Sequence, residues 1–429
     1  AKKRVWLYGL AAGFGLSAML CKETAYVLPV FILLYELWFL QEFKPGWFKR
    51  TWKWLPALAG FYLLVALIIF RPHMAGAIKA DIARINFTPV EHSLSQGRML
   101  LWYLGLIIYP SASFLTIQHE VEVSRSFFHP ANTLPAFLVI FVVVASSLIK
   151  AKKYPLPSFA VVWYFGNLLV EALPLPIDLA VDHRPYLASI SVVAFIPALL
   201  TMRVKKFIIG LGLTLVIGVF YGITAYERNL VWADTSRYWR DSVSKAPNLA
   251  SLWANYCAVL VDEDNFKRAL SVCGQAVTLD PALNKAHNNF GLALANSGYF
   301  QQAADEYEKA MSLKPDDPDP YYNMGLLIAS QQNYELAKDY FRKVLELQPR
   351  NVPLLCKVGE DLAVLGELED SFKAFSMALE LQPDSSEIIY RWASVLAGNG
   401  MCRNAVDLIT HYPYSDPRFS QILDFCNGR

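Results

Sequence analysis

Prolines stand at 247, 281, 315, 349, 383 and 417, each 34 residues after the last, and nothing else in this 429-residue chain narrows its fold as far. A proline ring removes an amide hydrogen and clashes with the preceding turn, so it breaks a helix wherever it recurs. A fixed period of this length marks one supersecondary unit repeated along the chain. The interior of the period agrees: Phe290, Gly291, Leu294, Ala303, Tyr307, Ala310 and Pro315 in 284–317 are followed in register by Gly325, Ala337, Phe341 and Pro349, then by Gly359, Phe375, Ala378 and Pro383. Small residues let helices approach closely and aromatic ones fill the gaps, so these positions are core rather than site.

A helix-turn-helix unit with this period is identified as the tetratricopeptide (TPR) repeat. Five units fit 250–417; 227–249 reads as a linker holding a degenerate leading unit, and 418–429 as a terminal cap. Asn255, Asn289 and Asn323 share one register, 34 apart. An amide offers a donor and an acceptor together, so such a ladder can bind extended peptide backbone whatever its sequence. It resembles the asparagine ladder of the TPR domain of O-GlcNAc transferase. The same amides can instead serve contacts between the repeats' own helices, and the ladder stops at Lys357 and Arg391. Both readings stay open. The six cysteines, at 21, 257, 273, 356, 402 and 426, form no CxxC pair and meet no histidine at ligand spacing, so no metal site is expected. Several fall at packing positions, and only Cys402 and Cys426 are candidates for a bridge.

Residues before 227 have another character. Mean hydropathy over the whole chain is +0.29, and the apolar runs that raise it cover about 5–20, 24–40, 54–70, 132–149, 158–176, 187–202 and 207–225. These approach the roughly 17–25 residues a membrane-spanning helix needs. The lysine and arginine clusters at 1–4, 44–53, 150–153 and 203–206 belong on the cytoplasmic side. All four fit there only if the short run at 98–110 stays re-entrant or interfacial on the far side. The last span then leads outward, which makes everything after Tyr226 extracytoplasmic. The chain opens on an apolar run with no initiator Met and no small-residue cleavage site, so it reads as entered partway through a longer protein. A formal net charge of +2 excludes the strong basic field of a nucleic-acid binder.

Charged residues gather at the outer membrane face under this topology: Lys22 and Glu23; His119, Glu120 and Glu122; Glu171; and His183 with Arg184. An ionisable group inside a span costs roughly 2.5–3.5 kcal/mol, so Glu171 needs a partner, and Arg184 and Lys22 are the available cations. Arginine gives planar bidentate donors and lysine a point charge, a pairing suited to a lipid phosphate. The bland alternative is a structural Glu171–Arg184 pair with Lys22 reaching to the interface.

"KETAYVLP", "YP…HEVEVS…FFHP", "VEALPLPIDLAVDHRPYLAS", "RNLVW" and trailing TPRs occur in this order. The whole chain thereby resembles bacterial polytopic inner-membrane TPR proteins, and through them the transmembrane-and-TPR O-mannosyltransferases of the GT-C glycosyltransferase superfamily. The resemblance implies an all-α architecture: a polytopic GT-C-like helix bundle over 1–226, then a TPR solenoid, in a bacterial inner membrane with the repeats periplasmic. It implies a polyprenyl-phosphate sugar donor and extracytoplasmic acceptors that the TPRs recruit. His183 and Arg184 would hold donor phosphate with Glu171 beside them, Lys22 and Glu23 would line the donor cavity, and His119, Glu120 and Glu122 would lie toward the acceptor. Pro185 and Ala188 depart from the family's pattern. The family's catalytic carboxylate lies upstream of anything present, so no catalytic residue is named. The alternative is a membrane-anchored TPR scaffold without chemistry. A transporter fits less well, since the charges collect at one face rather than near the midplane.

Overall fold

Each proline of the 34-residue series falls between helices at a repeat boundary in the computed structural model, Pro281, Pro315, Pro349 and Pro383 between two helix pairs; the structure describes residues 27–44, 87–169, 184–203, 207–347, 349–412 and 416–428 with isolated positions elsewhere before 184. The chain divides into two units, Ala1–Asp234 and Thr235–Arg429. All the described elements are helices.

The first unit contains α1 (Leu28–Tyr35, continued by a π-helical turn Glu36–Leu40), α2 (Pro89–Ile108), α3 (Thr133–Ile149), α4 (Pro155–Leu168), α5 (Tyr186–Arg203) and α6 (Phe207–Trp232). The re-entrant or interfacial segment expected at 98–110 falls in the second half of α2, which begins earlier, at Pro89. Its start is set by a capping box: Glu91 N–H donates to Thr88 Oγ1 at 3.2 Å, Thr88 N–H donates to Glu91 Oε2 at 2.7 Å, and Pro89 opens the helix. The polar first half of this helix hides it from a search for apolar runs. A β-carbon added at Gly97 would lie 2.5 Å from Phe137, so the glycine is what lets α3 close on α2.

Among the described residues one helix is long and apolar enough to cross a membrane, Ile208–Trp232. Only 11% of its most apolar window is buried inside the protein. A soluble core helix would be covered. Instead Ile208, Leu215, Val216 and Val219 are all more than 60% exposed, which in water would be a large unpartnered apolar surface. The other runs yield shorter apolar helices, Leu28–Leu40, Thr133–Ile149 and Tyr186–Phe195. The run at 158–176 corresponds to a helix that starts earlier, at Pro155, and ends at Leu168. Those at 5–20 and 54–70 lie almost wholly outside the described residues.

The second unit opens with α7 (Thr235–Lys245), the remnant of the degenerate leading unit. Five helix pairs follow: α8–α9 (Ala250–Asp262, Phe266–Leu279), α10–α11 (Asn284–Asn296, Phe300–Leu313), α12–α13 (Pro318–Ser330, Tyr334–Glu346), α14–α15 (Val352–Val364, Leu368–Leu381) and α16–α17 (Ser386–Gly398, Cys402–His411). The last helix, α18 (Phe419–Asn427), packs on the fifth pair through Phe419 and Ile422. Tyr307, Phe341 and Phe375 are buried against Gly291, Gly325 and Gly359. A β-carbon at Gly291 would stand 2.6 Å from Tyr307 and 3.2 Å from the Ala303 carbonyl. Gly291→Ala should therefore lose about 1–3 kcal/mol of stability, despite the roughly 1 kcal/mol that alanine adds to a helix interior. Urea unfolding followed by circular dichroism reads this; a gain in stability would refute the close contact.

The turn inside each pair has a period of its own. Asp264, Gly298, Gln332, Gly366 and Gly400, again 34 apart, all have positive φ, between 55° and 84°. Glycine takes this conformation freely, whereas Gln332 and Asp264 are strained in it. Gln332→Gly should raise the midpoint of thermal unfolding by a few degrees.

Two disulfides join helices of this unit, Cys257–Cys273 within the first pair and Cys402–Cys426 between α17 and α18. The second is the pair that spacing allowed. The first corrects the expectation that no other pair could bridge. Cys257 occupies the register of Gly291, and Cys273 that of Tyr307. These are the two positions that touch in every following unit through Phe375, so a bridge here replaces the glycine–aromatic contact.

Candidate functional site

Lys22, Glu23, Glu171 and His183 lie outside the described residues. Arg184 is half-buried in the turn that leads into α5. The chain on either side of it is fixed on α2. Gln96 Nε2 donates to the Leu179 carbonyl at 3.0 Å, Ala180 packs with Met99, Tyr103 and Leu106, and Ala188 packs with Leu100 and Ile107. The second charged segment is laid on the same helix, since Leu115 and Val121 pack against the Met99–Tyr103–Leu106 group. His119 meets Trp102 edge-on, ring centroids 4.3 Å apart. The Glu122 carboxylate is 3.9 Å from His129 Nε2, with both side chains more than 60% exposed, so water and salt weaken this pair. Glu120 lies between these two on the same segment.

The residue that fastens this segment is one the apolar-run reading passed over. Arg98 donates from Nε to Ser124 Oγ at 3.0 Å, from Nη1 to Asn132 Oδ1 at 3.2 Å and from Nη2 to the Glu122 carbonyl. Beneath it Ser124 N–H donates to Ser95 Oγ at 2.7 Å, and the hydroxyls of Ser124 and Thr133 are 2.9 Å apart. Three acceptors in a fork suit a guanidinium and not an ammonium. Arg98→Ala should expose 119–132 to limited proteolysis at least several-fold faster, and Arg98→Lys should not rescue it. Equal cleavage of all three proteins would mean that other contacts hold the segment.

In the second unit the first helices of successive pairs contact one another, α8 with α10, α10 with α12 and α14 with α16, and among the described residues no two second helices do so to a comparable extent. First helices therefore line the inner face of the array. The asparagine register lies there, and its groups are engaged between repeats. Asn289 Nδ2 donates to the Ala254 carbonyl at 2.8 Å, Asn323 Nδ2 donates to Asn288 Oδ1 at 2.9 Å, and Asn255 Oδ1 accepts from Lys285 Nζ at 2.7 Å. Arg391 continues the pattern with a bidentate pair to Glu360 at 2.6 and 2.7 Å. Of the two readings of the ladder, these bonds favour contacts between the repeats' own helices. Tyr322 also joins neighbours, donating to Asp361 Oδ2 at 2.9 Å. Burial pushes the Asp361 carboxyl above its ordinary range; burial and then the Asp361 charge do the same for the Tyr322 hydroxyl.

Other side chains on the inner face reach solvent, Lys285 while it also donates to Asn255. Lys285 and Lys357 are exposed, as are Leu326, one turn after Asn323, and Val364, two turns after Lys357. Exposed apolar and ammonium groups on one face can take apolar and acidic side chains of an extended segment.

The family model described as "TPR repeat" matches residues 295–332, and that described as "Tetratricopeptide repeat" matches 318–351. The C-terminal half thus carries TPR repeats, as the period predicted. No curated protein matches the chain. Among solved structures the chain is similar to YrrB, described as a TPR protein with an unusual peptide-binding site, at 18% identity over 45% of this chain and 97% of that one, with a TM-score of 0.31. It is similar to a thermophilic TPR protein of Thermus thermophilus at 17% identity over 41% and 95%, TM-score 0.35. It is similar to MamA of Desulfovibrio magneticus at 18% identity over 42% and 96%, TM-score 0.31. Likeness at this level bears on no function. None of these matches supports a glycosyltransferase.

Proposed function

We propose that this chain is a membrane-tethered TPR scaffold whose inner repeat face holds an extended segment of a partner protein outside the cytoplasm. The observation that carries the reading is the division of labour on that face. The asparagine register binds repeat to repeat, and Leu326, Lys357 and Val364 are left exposed beside it, as is Lys285 around its bond to Asn255. Protein binding of this kind is what TPR arrays do with the concave surface their stacking creates. The tether is supported by the exposed apolar helix α6. An extracytoplasmic setting is supported by the placement of the lysine and arginine clusters and by two disulfides in the repeat unit, since such bonds persist in oxidising compartments. The resemblance would make this membrane a bacterial inner membrane and the repeats periplasmic.

The partner segment should alternate apolar and acidic residues. A fluorescent peptide of that composition should bind the full chain in detergent, and Lys285→Glu with Lys357→Glu should weaken it by roughly tenfold or more. Identical binding by the charge-reversed protein would remove the inner face from the account.

A second reading has one observation in its favour. The segments carrying Arg184 and His119–Glu122 are both held on α2, which suits the GT-C-like site that the resemblance implies. Arg184 with His183 would then take the phosphate of a polyprenyl-phosphate sugar donor. Lys22, Glu23 and Glu171 would line its cavity, and His119, Glu120 and Glu122 would lie toward the acceptor. Arg184→Ala should abolish polyprenyl-phosphate binding on this reading; unchanged binding would end it.

A further inference from the structure

Helices α3 and α4 part around a groove of about 530 Å3, lined by Val142, Ser146, Lys150 and Val161 and closed at one end by Phe195. A second groove, about 310 Å3, runs along the other side of α4 between Phe159, Trp163, Ile190 and Ala194, and shares Phe195 with the first. The smaller groove is apolar apart from Ser191, the larger mixes Val142, Val143, Val161 and Phe195 with the hydroxyls of Ser146, Ser147 and Ser158, no carboxylate lines either of them, and Val142 and Ile190 are 58% and 48% exposed. Trp163 is fixed as a wall by its indole N–H, which donates to the Leu187 carbonyl at 2.8 Å. At the mouth of the larger groove the chain turns through Lys150, Lys152, Lys153 and Tyr154, all exposed. Lys153 Nζ stands 5.4 Å from the centre of the Tyr154 ring, and none of the three lysines has an ion pair among the described residues.

We infer that the two grooves hold the acyl chains of one anionic glycerophospholipid, with its phosphate on Lys150, Lys152 and Lys153. The inference rests on the membrane reading given above. Three exposed lysines without carboxylate partners complement an anion, and basic pockets between spans on the cytoplasmic side are suited to acidic headgroups. The dimensions agree. From Tyr154 to Trp163 along α4 is about 14 Å at the helical rise per residue, close to half of the roughly 30 Å hydrocarbon core. Two grooves with Phe195 as a common wall accommodate two chains, whereas a fatty acid would leave one empty. Lys150, Lys152 and Lys153 stand before the start of α4, whereas Arg184 lies beyond its other end, in the turn that leads into α5.

The test is photo-crosslinking of the full chain in phosphatidylcholine vesicles, using phosphatidylglycerol or phosphatidylcholine with a photoreactive acyl chain and mapping the labelled peptides. Phosphatidylglycerol should label 142–161 and 190–195 preferentially. Reversal of Lys150, Lys152 and Lys153 to glutamate should cut that labelling about a hundredfold, the change that roughly 1 kcal/mol per lysine gives for three. Labelling of α6 should be unaffected. Ser146→Phe, which fills the larger groove and keeps the charges, should lower it as well. Equal labelling of the grooves by both lipids, insensitive to the charge reversal, would show ordinary surrounding lipid and overturn the proposal. Labelling of Ile208–Trp232 without the grooves would overturn it and leave the membrane reading standing, whereas no labelling of either would remove both.

Discussion

Phe341→Ala should cost the repeat unit about 3–5 kcal/mol, the range for emptying a large buried aromatic site. Phe341 has no exposed surface and packs with Val344, Leu355, Phe375 and Ile388 in one cluster. The facing residue is Gly325, where even a single added carbon would stand 2.6 Å from the ring. Glycine has no side chain to move into the space, so the cavity persists. Whole domains are stable by about 5–15 kcal/mol, and a loss of this size should place the third pair near its own unfolding point. Because each repeat rests mainly on its neighbours, urea unfolding should lose its single sharp transition and show a plateau. Phe341→Leu should lose less, since it retains most of the volume. A cost under 1 kcal/mol would mean that the ring is not the keystone of its pair.

The second large effect concerns the first pair, where Cys257 and Cys273 are bridged with Cα atoms 5.2 Å apart. Replacing both with alanine removes a cross-link that closes a short loop, worth about 3 kcal/mol, and leaves two small residues where the other pairs have a glycine under an aromatic ring. The rescue is specific. Cys257→Gly with Cys273→Phe restores the pair found at Gly325 and Phe341, and should recover most of the loss without a disulfide. Failure of the rescue would mean that the first pair stacks differently from the others. Alkylation of the denatured, unreduced protein should leave Cys257, Cys273, Cys402 and Cys426 unlabelled and modify Cys356, which is unbridged.

That bridge was written in the sequence in a form that spacing rules do not detect. Once the glycine and aromatic registers are known to touch, cysteines in both registers of one unit mark a cross-link. The turn conformation has the same property, since Gly298, Gly366 and Gly400 announce it, whereas Asp264 and Gln332 reveal it only through the shared period. Periodic packing is legible because each unit repeats the same test of the same positions. The start of α2 was legible too, in the threonine, proline and glutamate at 88, 89 and 91, but its polar first half carries no hydropathy signal. Arg98 was not legible. Its acceptors, the Glu122 carbonyl, Ser124 and Asn132, lie in a segment without periodicity, and nothing local points to them. The asparagine ladder stands between these cases: the register was visible, but the sequence left open whether its amides face a peptide or the next helix, and only the bonds to Ala254 and Asn288 distinguish the two.

The claim on which the scaffold reading depends is that α6 anchors the repeats on the outer side of the membrane. Proteolysis of spheroplasts tests it, with one antibody against a tag after Arg429 and a second against a tag inserted at 150–153 following the fragments. Protease added to intact spheroplasts should remove the repeat unit and leave the lysine-rich turn at 150–153 protected until the membrane is opened. Repeats that stay intact until lysis, with 150–153 cut from outside, would reverse the topology and contradict the account.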